Sequence, residues 1–412
     1  MGMMQHMAWR NVWRNPRRSL LTMGAIAFAC VLLIFMLSLQ FGAYETMINA
    51  SLRIRTGHLQ IQAAGYHEKR QMRDTVDRPG EINALLNDIS GIRATTMRGN
   101  GFALVSSNDR SVGIFISGVD PLNEPRVTAM ADWIRSGDWF SAAAGLEAVL
   151  GHLLARRLNV TVGDELTLLG QGRDGSIAAG MVTVRGIFSS GIDAVDRDTM
   201  VMPLTAFQDL FAMGESVHEI VVVAALLEDA APIQQKVRAR LPSRASGGPL
   251  RVLDWKTLNP GLMDSIAMDL SMGVIMYGVL IIVVAFSIFN TFLMVIFERT
   301  REFGVLMALG TTPGRLVRLV LGESLWIALV GVAAGVAAGT LLTGYFQAHG
   351  IDLTGGSDLL AQYGMSGMMY PRLSMISVSA GPLTVLLITF LAALFPAFRV
   401  SRLKPVAAIA HG

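Results

Sequence analysis

Gly170–Gly175 reads GQGRDG, which fits the G-x-G-x-x-G spacing that lets a backbone approach a pyrophosphate. That chemistry needs a helix opening directly behind the last glycine, so that its N-terminal amides meet the phosphates. A strand-like run follows here instead, and the glycines read as a hairpin turn. None of Lys69, Lys236, Lys256 and Lys404 follows a glycine, so the sequence has no phosphate-binding P-loop lysine. If ATP drives this protein, another chain hydrolyses it. The seven histidines include no H-E-x-x-H pair and do not gather with cysteine, so no metal site is expected. Serine, histidine and aspartate co-occur without a G-x-S-x-G elbow, which is weak support for a hydrolase. The expectation is a chain with no catalytic residue, metal or cofactor of its own.

The elements around these residues set the class of protein. Of 412 residues, 52% are hydrophobic and 16% charged, against about 25% charged in soluble domains. Four apolar blocks, 20–39, 272–297, 321–342 and 373–398, meet the requirement of about 18 residues for a bilayer crossing. The second would make roughly 39 Å of helix against a hydrocarbon core of roughly 30 Å, so it should tilt or project. Pro382 predicts a kink in the fourth. The net charge of +3 does not mark a nucleic-acid binder, because the basic residues flank apolar blocks rather than forming one dense patch.

Those flanking charges set the orientation. Arg10, Arg14, Arg17 and Arg18 precede the first block; Arg299, Arg301, Arg315 and Arg318 lie between the second and third; Arg399, Arg402 and Lys404 follow the fourth. With four crossings all three groups fall on one side, and the positive-inside rule makes both termini cytoplasmic. The first apolar run exceeds the 7 to 15 residues of a signal-peptide core and reads as a retained anchor. The expected order is a cytoplasmic amphipathic helix at 1–19, a span at 20–39, an external domain with stalk ends at 40–271 and a span at 272–297. A cytoplasmic loop at 298–320, a span at 321–342, an external loop at 343–372, a span at 373–398 and a cytoplasmic end at 399–412 complete it. The external domain reads as mixed α/β. Glu165–Gly170 and Met181–Phe188 are strand-like around the glycine-rich turn, and His218–Leu226 is strand-like before an amphipathic helix at Glu228–Leu241. Gly247, Gly248 and Pro249 break the chain before another short strand, Leu250–Trp255. The sole cysteine, Cys30, lies in the first span, so the external domain must hold itself without a disulfide.

Between the second and third spans, Arg301–Gly310 is too short to cross and too apolar to float in water. Phe303, Leu306 and Met307 share one helical face, so the segment should lie along the interface and dock into something, or rest on lipid or its own spans. Gly310 and the following TTPGR end it sharply. Glu323 opens the third span and either makes a functional contact or snorkels. Gly331, Gly335 and Gly339 recur every fourth residue and admit another backbone, from this chain or from a dimer partner.

The run ERTREFGVLMALGTTPGRLVRLVLGES resembles the coupling-helix signature of FtsX-like ABC transporter permeases. Glu298, Arg299, Arg301, Glu302, Phe303, Gly304, Ala308, Leu309, Gly310 and Glu323 fill its places, with Phe303 where Ile is commoner. Ala8–Thr22 resembles the family's N-terminal helix, HLLARRLNVTVGDELTL and VRGIF the periplasmic domain of its MacB and lipoprotein-releasing branch, and FPAFRVSRLKPVAAI its C-terminal signature. The resemblance implies an α-helical membrane protein of four transmembrane helices with a large mixed α/β periplasmic domain between the first and second. It would sit in a bacterial inner membrane as the permease subunit of an ABC transporter. A cytoplasmic ATPase dimer would bind ATP and magnesium and dock on residues 298–310, Leu306 and Met307 included. A second permease copy or a paralogue would complete the assembly, and the periplasmic domains would move substrate by mechanotransmission. TGHLQIQAAGY, DWKTLNPGLMDSI and the lack of a fused ATPase favour lipoprotein release. Efflux of peptides or amphiphiles with a periplasmic adaptor, and regulation of a cell-wall hydrolase, remain alternatives.

Overall fold

The computed structural model describes residues 3–108, 110–142, 145–241, 248–352 and 368–401. They fall into two compact units: one gathers the described parts of 1–45, 266–353 and 368–412, the other those of 46–265.

The first unit is helical. A short helix, Met3–Val12, precedes four helices long and apolar enough to cross a membrane: Pro16–Ser51, Pro260–Glu298, Pro313–His349 and Met375–Ser401. They run past the apolar blocks at most ends, because hydropathy marks only the stretch suited to lipid while the flanking residues remain good helix formers. The first and third start on Pro16 and Pro313, whose missing N–H costs nothing in a first turn. A single helix continues through both Pro382 and Pro396, so the proline expected to kink the fourth span does not end it. Ile26, Cys30 and Leu33 of the first long helix pack with Ile288 and Phe292 of the second and Val385 and Ala393 of the fourth. The division between the units falls within the first and second long helices.

The second unit is mixed α/β. Its strands are β1 (Leu59–Ala63), β2 (Ile92–Ser107), β3 (Arg110–Val119), β4 (Ile134–Gly137), β5 (Glu147–Gly151), β6 (Glu165–Gln171), β7 (Ile177–Phe188), β8 (Thr199–Pro203), β9 (Glu219–Ala224) and β10 (Leu250–Asp254). Following the hydrogen bonds from β2 through β3, β8, β5, β7 and β6 returns to β2, which closes a six-stranded ring. Val105, Ile114, Leu150, Leu168, Met200 and the stacked Phe207 and Phe211 fill it. The other end of β2 continues into an open sheet with β9, β1 and β10. Helices Pro79–Asn87 and Ala230–Arg240 cover that sheet with Ile82, Leu86, Ile233 and Val237. The GQGRDG run is the tight connection of the β6–β7 hairpin, with Gly175 at φ +87°, where glycine pays no steric penalty. Gly248 opens the approach to β10, while Gly247 lies outside the described residues.

Candidate functional site

The sequence between the second and third long helices folds as a helix, Thr300–Ala308. Gly310 at φ +95° turns the chain out of it, and extended Thr312 leads into the next helix at Pro313. Its apolar face does not stand free. Phe303 is 1% exposed, and packs with Ile296, Leu316, Val317, Val320, Ala397 and Val400, with Leu306 and Met307 half-buried against the same cluster. Burying Phe303 contributes roughly 1.5 to 3 kcal/mol. Of the readings open for this face, packing on the chain's own spans is the one the structure shows for Phe303, with Leu306 and Met307 partly covered in the same way. Gly304 is buried as well, whereas Arg301, Val305, Ala308, Leu309 and Gly310 face outward, Leu309 at 79% exposure.

The charged residues of the motif also turn inward. Arg299 donates from Nη1 to Glu323 at 2.7 Å and from Nε to Glu302 at 3.1 Å, and its guanidinium lies 5.2 Å from the Phe303 ring centre. Burial opposes its charge, but the Glu323 and Glu302 carboxylates outweigh burial and raise its pKa above the ordinary value. Glu323 is 8% exposed and also accepts from Asn11 Nδ2, so it is a buried junction rather than a snorkelling side chain. Arg14 pairs with Glu302 and Arg18 with Glu298. Asn11, Arg14 and Arg18 were not expected here. Their signal in the sequence, an arginine cluster, read only as a topology determinant. Together these groups strap the start of the chain to the short helix and to the third long helix. A cavity of about 60 Å³ lies among Asn11, Arg18, Arg299 and Glu323. Trp9 adds edge contacts to Trp13 and Trp326, at 5.8 and 5.1 Å between ring centres.

Gly331, Gly335 and Gly339 lie against the first long helix. A Cβ at Gly335 would come within 2.6 Å of the Cys30 Cβ and 2.7 Å of the Ala27 carbonyl oxygen; at Gly331 the nearest atoms are Ile26 carbons at 2.9 Å. Of the two readings of this stripe, packing within the chain is the one the structure shows, which leaves it unavailable to a dimer partner. Nearer the division of the units, Gln40 and Tyr44 of the first long helix donate to Asp269 of the second at 3.1 and 2.6 Å, and Tyr277 donates to Gln40 at 2.9 Å. No group of metal-binding side chains occurs among the described residues. Arg402, Lys404 and the C-terminal signature beyond 401 lie outside them.

A family model described as MacB-like periplasmic core domain matches residues 19–240, and one described as FtsX-like permease C-terminal matches residues 274–405. The chain belongs to the FtsX-like permeases with a MacB-like periplasmic core domain. This permease is similar to the lipoprotein-releasing system transmembrane protein LolC of Xylella fastidiosa, 26% identical over 74% of each chain. It is 24% identical to the protein of that name from Neisseria meningitidis, over 97% of this chain and 96% of the relative. It is 23% identical to the macrolide export ATP-binding/permease protein MacB of Nitrobacter winogradskyi, over 97% of this chain but 58% of that longer one. The α/β unit of this permease is thus its periplasmic core domain, and the strapped helix at Thr300–Ala308 falls in the FtsX-like part.

Proposed function

We propose that this permease is the membrane subunit of an ABC transporter that converts closure of a separate cytoplasmic ATPase dimer into motion of its periplasmic domain. The observation that carries the reading is the helix Pro260–Glu298. Its 39 residues make about 58 Å of rod, against about 30 Å of hydrocarbon, and it leads within two residues into the short helix Thr300–Ala308. A rod of that length can carry a displacement from a cytoplasmic contact to the external domain without a pathway for substrate through the bilayer. The ATPase holds ATP and magnesium; this chain supplies the lever. Both termini are cytoplasmic, and a second permease copy or paralogue completes the pair.

Substrate is handled on the periplasmic side, and we favour lipoproteins leaving the inner membrane. Full-length similarity to a relative named for lipoprotein release supports that reading. Efflux of an amphiphile through a periplasmic adaptor is the second reading, supported by the similarity to a macrolide exporter.

With Phe303 buried, the ATPase contact belongs to the outward face, Arg301, Val305, Ala308 and Leu309. Leu309→Asp and Val305→Asp should each place a charge in a dry contact and reduce ATPase co-purification about tenfold or more, with the permease's own thermal midpoint unchanged. Phe303→Asp should instead lower that midpoint. Full ATPase recovery by both outward variants would remove the docking assignment.

A further inference from the structure

An open groove of about 580 Å³ lies on the periplasmic domain where the β2 strand passes from the closed ring to the open sheet. The glycine-rich hairpin forms one wall through Arg173 and Asp174, the 70–73 segment forms the other, and Phe102 and Phe115 stand at its floor. Arg173 is already engaged, donating to Asp77 at 3.1 Å and Ser216 at 2.7 Å. Arg70 and Arg73 are exposed, and neither has an ion-pair partner among the described residues. Among the described residues that line the groove Asp174 is the one acid, while Arg70 also borders a neighbouring pocket with Glu219.

Their segment is held in place. Arg70 sits in the left-handed region at φ +48°, uncommon for a residue with a side chain, after donating its N–H to the Tyr66 carbonyl at 2.7 Å. Two residues on, the Met72 carbonyl accepts from His218 Nε2 at 3.1 Å, and that ring stacks on Tyr66 at 5.0 Å. The two guanidiniums therefore stand on a fixed turn.

The groove is continuous with an apolar strip on the outside of the ring. Phe102, 63% exposed, packs edge-on against Phe115, and Leu104, next on the same face of β2, lies directly opposite Leu169 of β6. Leu104, Leu169 and Ile177 are all exposed. Large apolar side chains gathered on a soluble surface mark a binding site, and two unpaired cations beside them set the charge of what binds.

We propose that this groove and strip bind a single anionic phospholipid, its phosphate against Arg70 and Arg73 and its acyl chain along Phe102, Leu104 and Leu169. The site needs only the surface of the periplasmic domain, so it stands whether the transported molecule is a lipoprotein or another amphiphile. A guanidinium pair gives a phosphate forked hydrogen bonds, and each methylene laid on the strip leaves water.

The test uses the full chain in phosphatidylcholine nanodiscs and a lysophosphatidylglycerol with a diazirine at the chain end, with labelled peptides located by mass spectrometry. The wild type should be labelled within the peptides spanning Phe102–Leu104 or Leu169–Ile177, and Arg70→Gln with Arg73→Gln should lower that labelling about tenfold. Arg70→Lys with Arg73→Lys, which keeps the charge but not the fork, should retain more labelling than the glutamine pair, which separates loss of charge from loss of fold, and Phe102→Ser should reduce it with the arginines intact. Equal labelling by the lysophosphatidylcholine analogue would show a merely apolar surface and overturn the proposal. So would competition by inorganic phosphate as complete as that by unlabelled lysophosphatidylglycerol at the same concentration, which would show a free-anion site.

Discussion

Arg299 has 14% of its side chain exposed and serves two carboxylates, of which Glu323 is as buried as itself and Glu302 is not. Removing the buried partner should cost far more than removing the exposed one. Glu323→Gln should lower stability by on the order of 2 to 3 kcal/mol, because it leaves a guanidinium short of a countercharge in a low-dielectric setting. Glu302→Gln should cost less than about 1 kcal/mol. Thermal midpoints of the purified variants compare the two directly. Elsewhere, His218 is wholly buried, with Nδ1 accepting the Asn100 N–H at 2.9 Å, and burial pushes its pKa down to about 4. The unfolded chain takes up that proton near pH 6.5, so the contribution of neutral His218 is complete above pH 6.5 and lost as the pH falls toward about 4. The full swing is on the order of 3 kcal/mol. The periplasmic domain's melting transition should fall over that window, and His218→Gln, though less stable at pH 7, should show a flatter profile.

At the scale of elements, the short helix and the four long ones were legible because lipid solubility and helical period are local properties of sequence. The β6–β7 hairpin was legible for the same reason: strand-like runs bracket a glycine-rich turn. Closure of the ring through β2–β6 and β3–β8 was not, since register depends on partners far apart in the chain. Equally, the motif residues Glu298, Glu302 and Glu323 could be picked out, but not their pairing with Arg18, Arg14 and Asn11, which lie about three hundred positions away and carry no periodic mark. Which of the two readings holds at Phe303 was not legible, because periodicity shows that a face is apolar and not what covers it. Among the small residues, Gly335 meets backbone of the first long helix that cannot yield easily, whereas Gly339 has its nearest neighbour at 3.1 Å. Gly335→Ala should therefore destabilise the helical unit by about 1 to 3 kcal/mol and Gly339→Ala by less. Equal thermal midpoints for the two would contradict the packing assigned to the first and third long helices.

For the molecule as a whole, the two units are joined by chain that stays helical across their division, in both Pro16–Ser51 and Pro260–Glu298. Helix is stiffer than loop, and the proposed lever requires that stiffness of Pro260–Glu298. Two glycines inserted after Ala267 introduce a flexible point while leaving the cytoplasmic contact unaltered. The decisive measurement is the ATPase rate beside lipoprotein release, with the permease reconstituted in liposomes together with the ATPase and the second permease proposed for it. The lever predicts that the insertion variant assembles and hydrolyses ATP but no longer releases substrate. Release at the wild-type rate from that variant would contradict it.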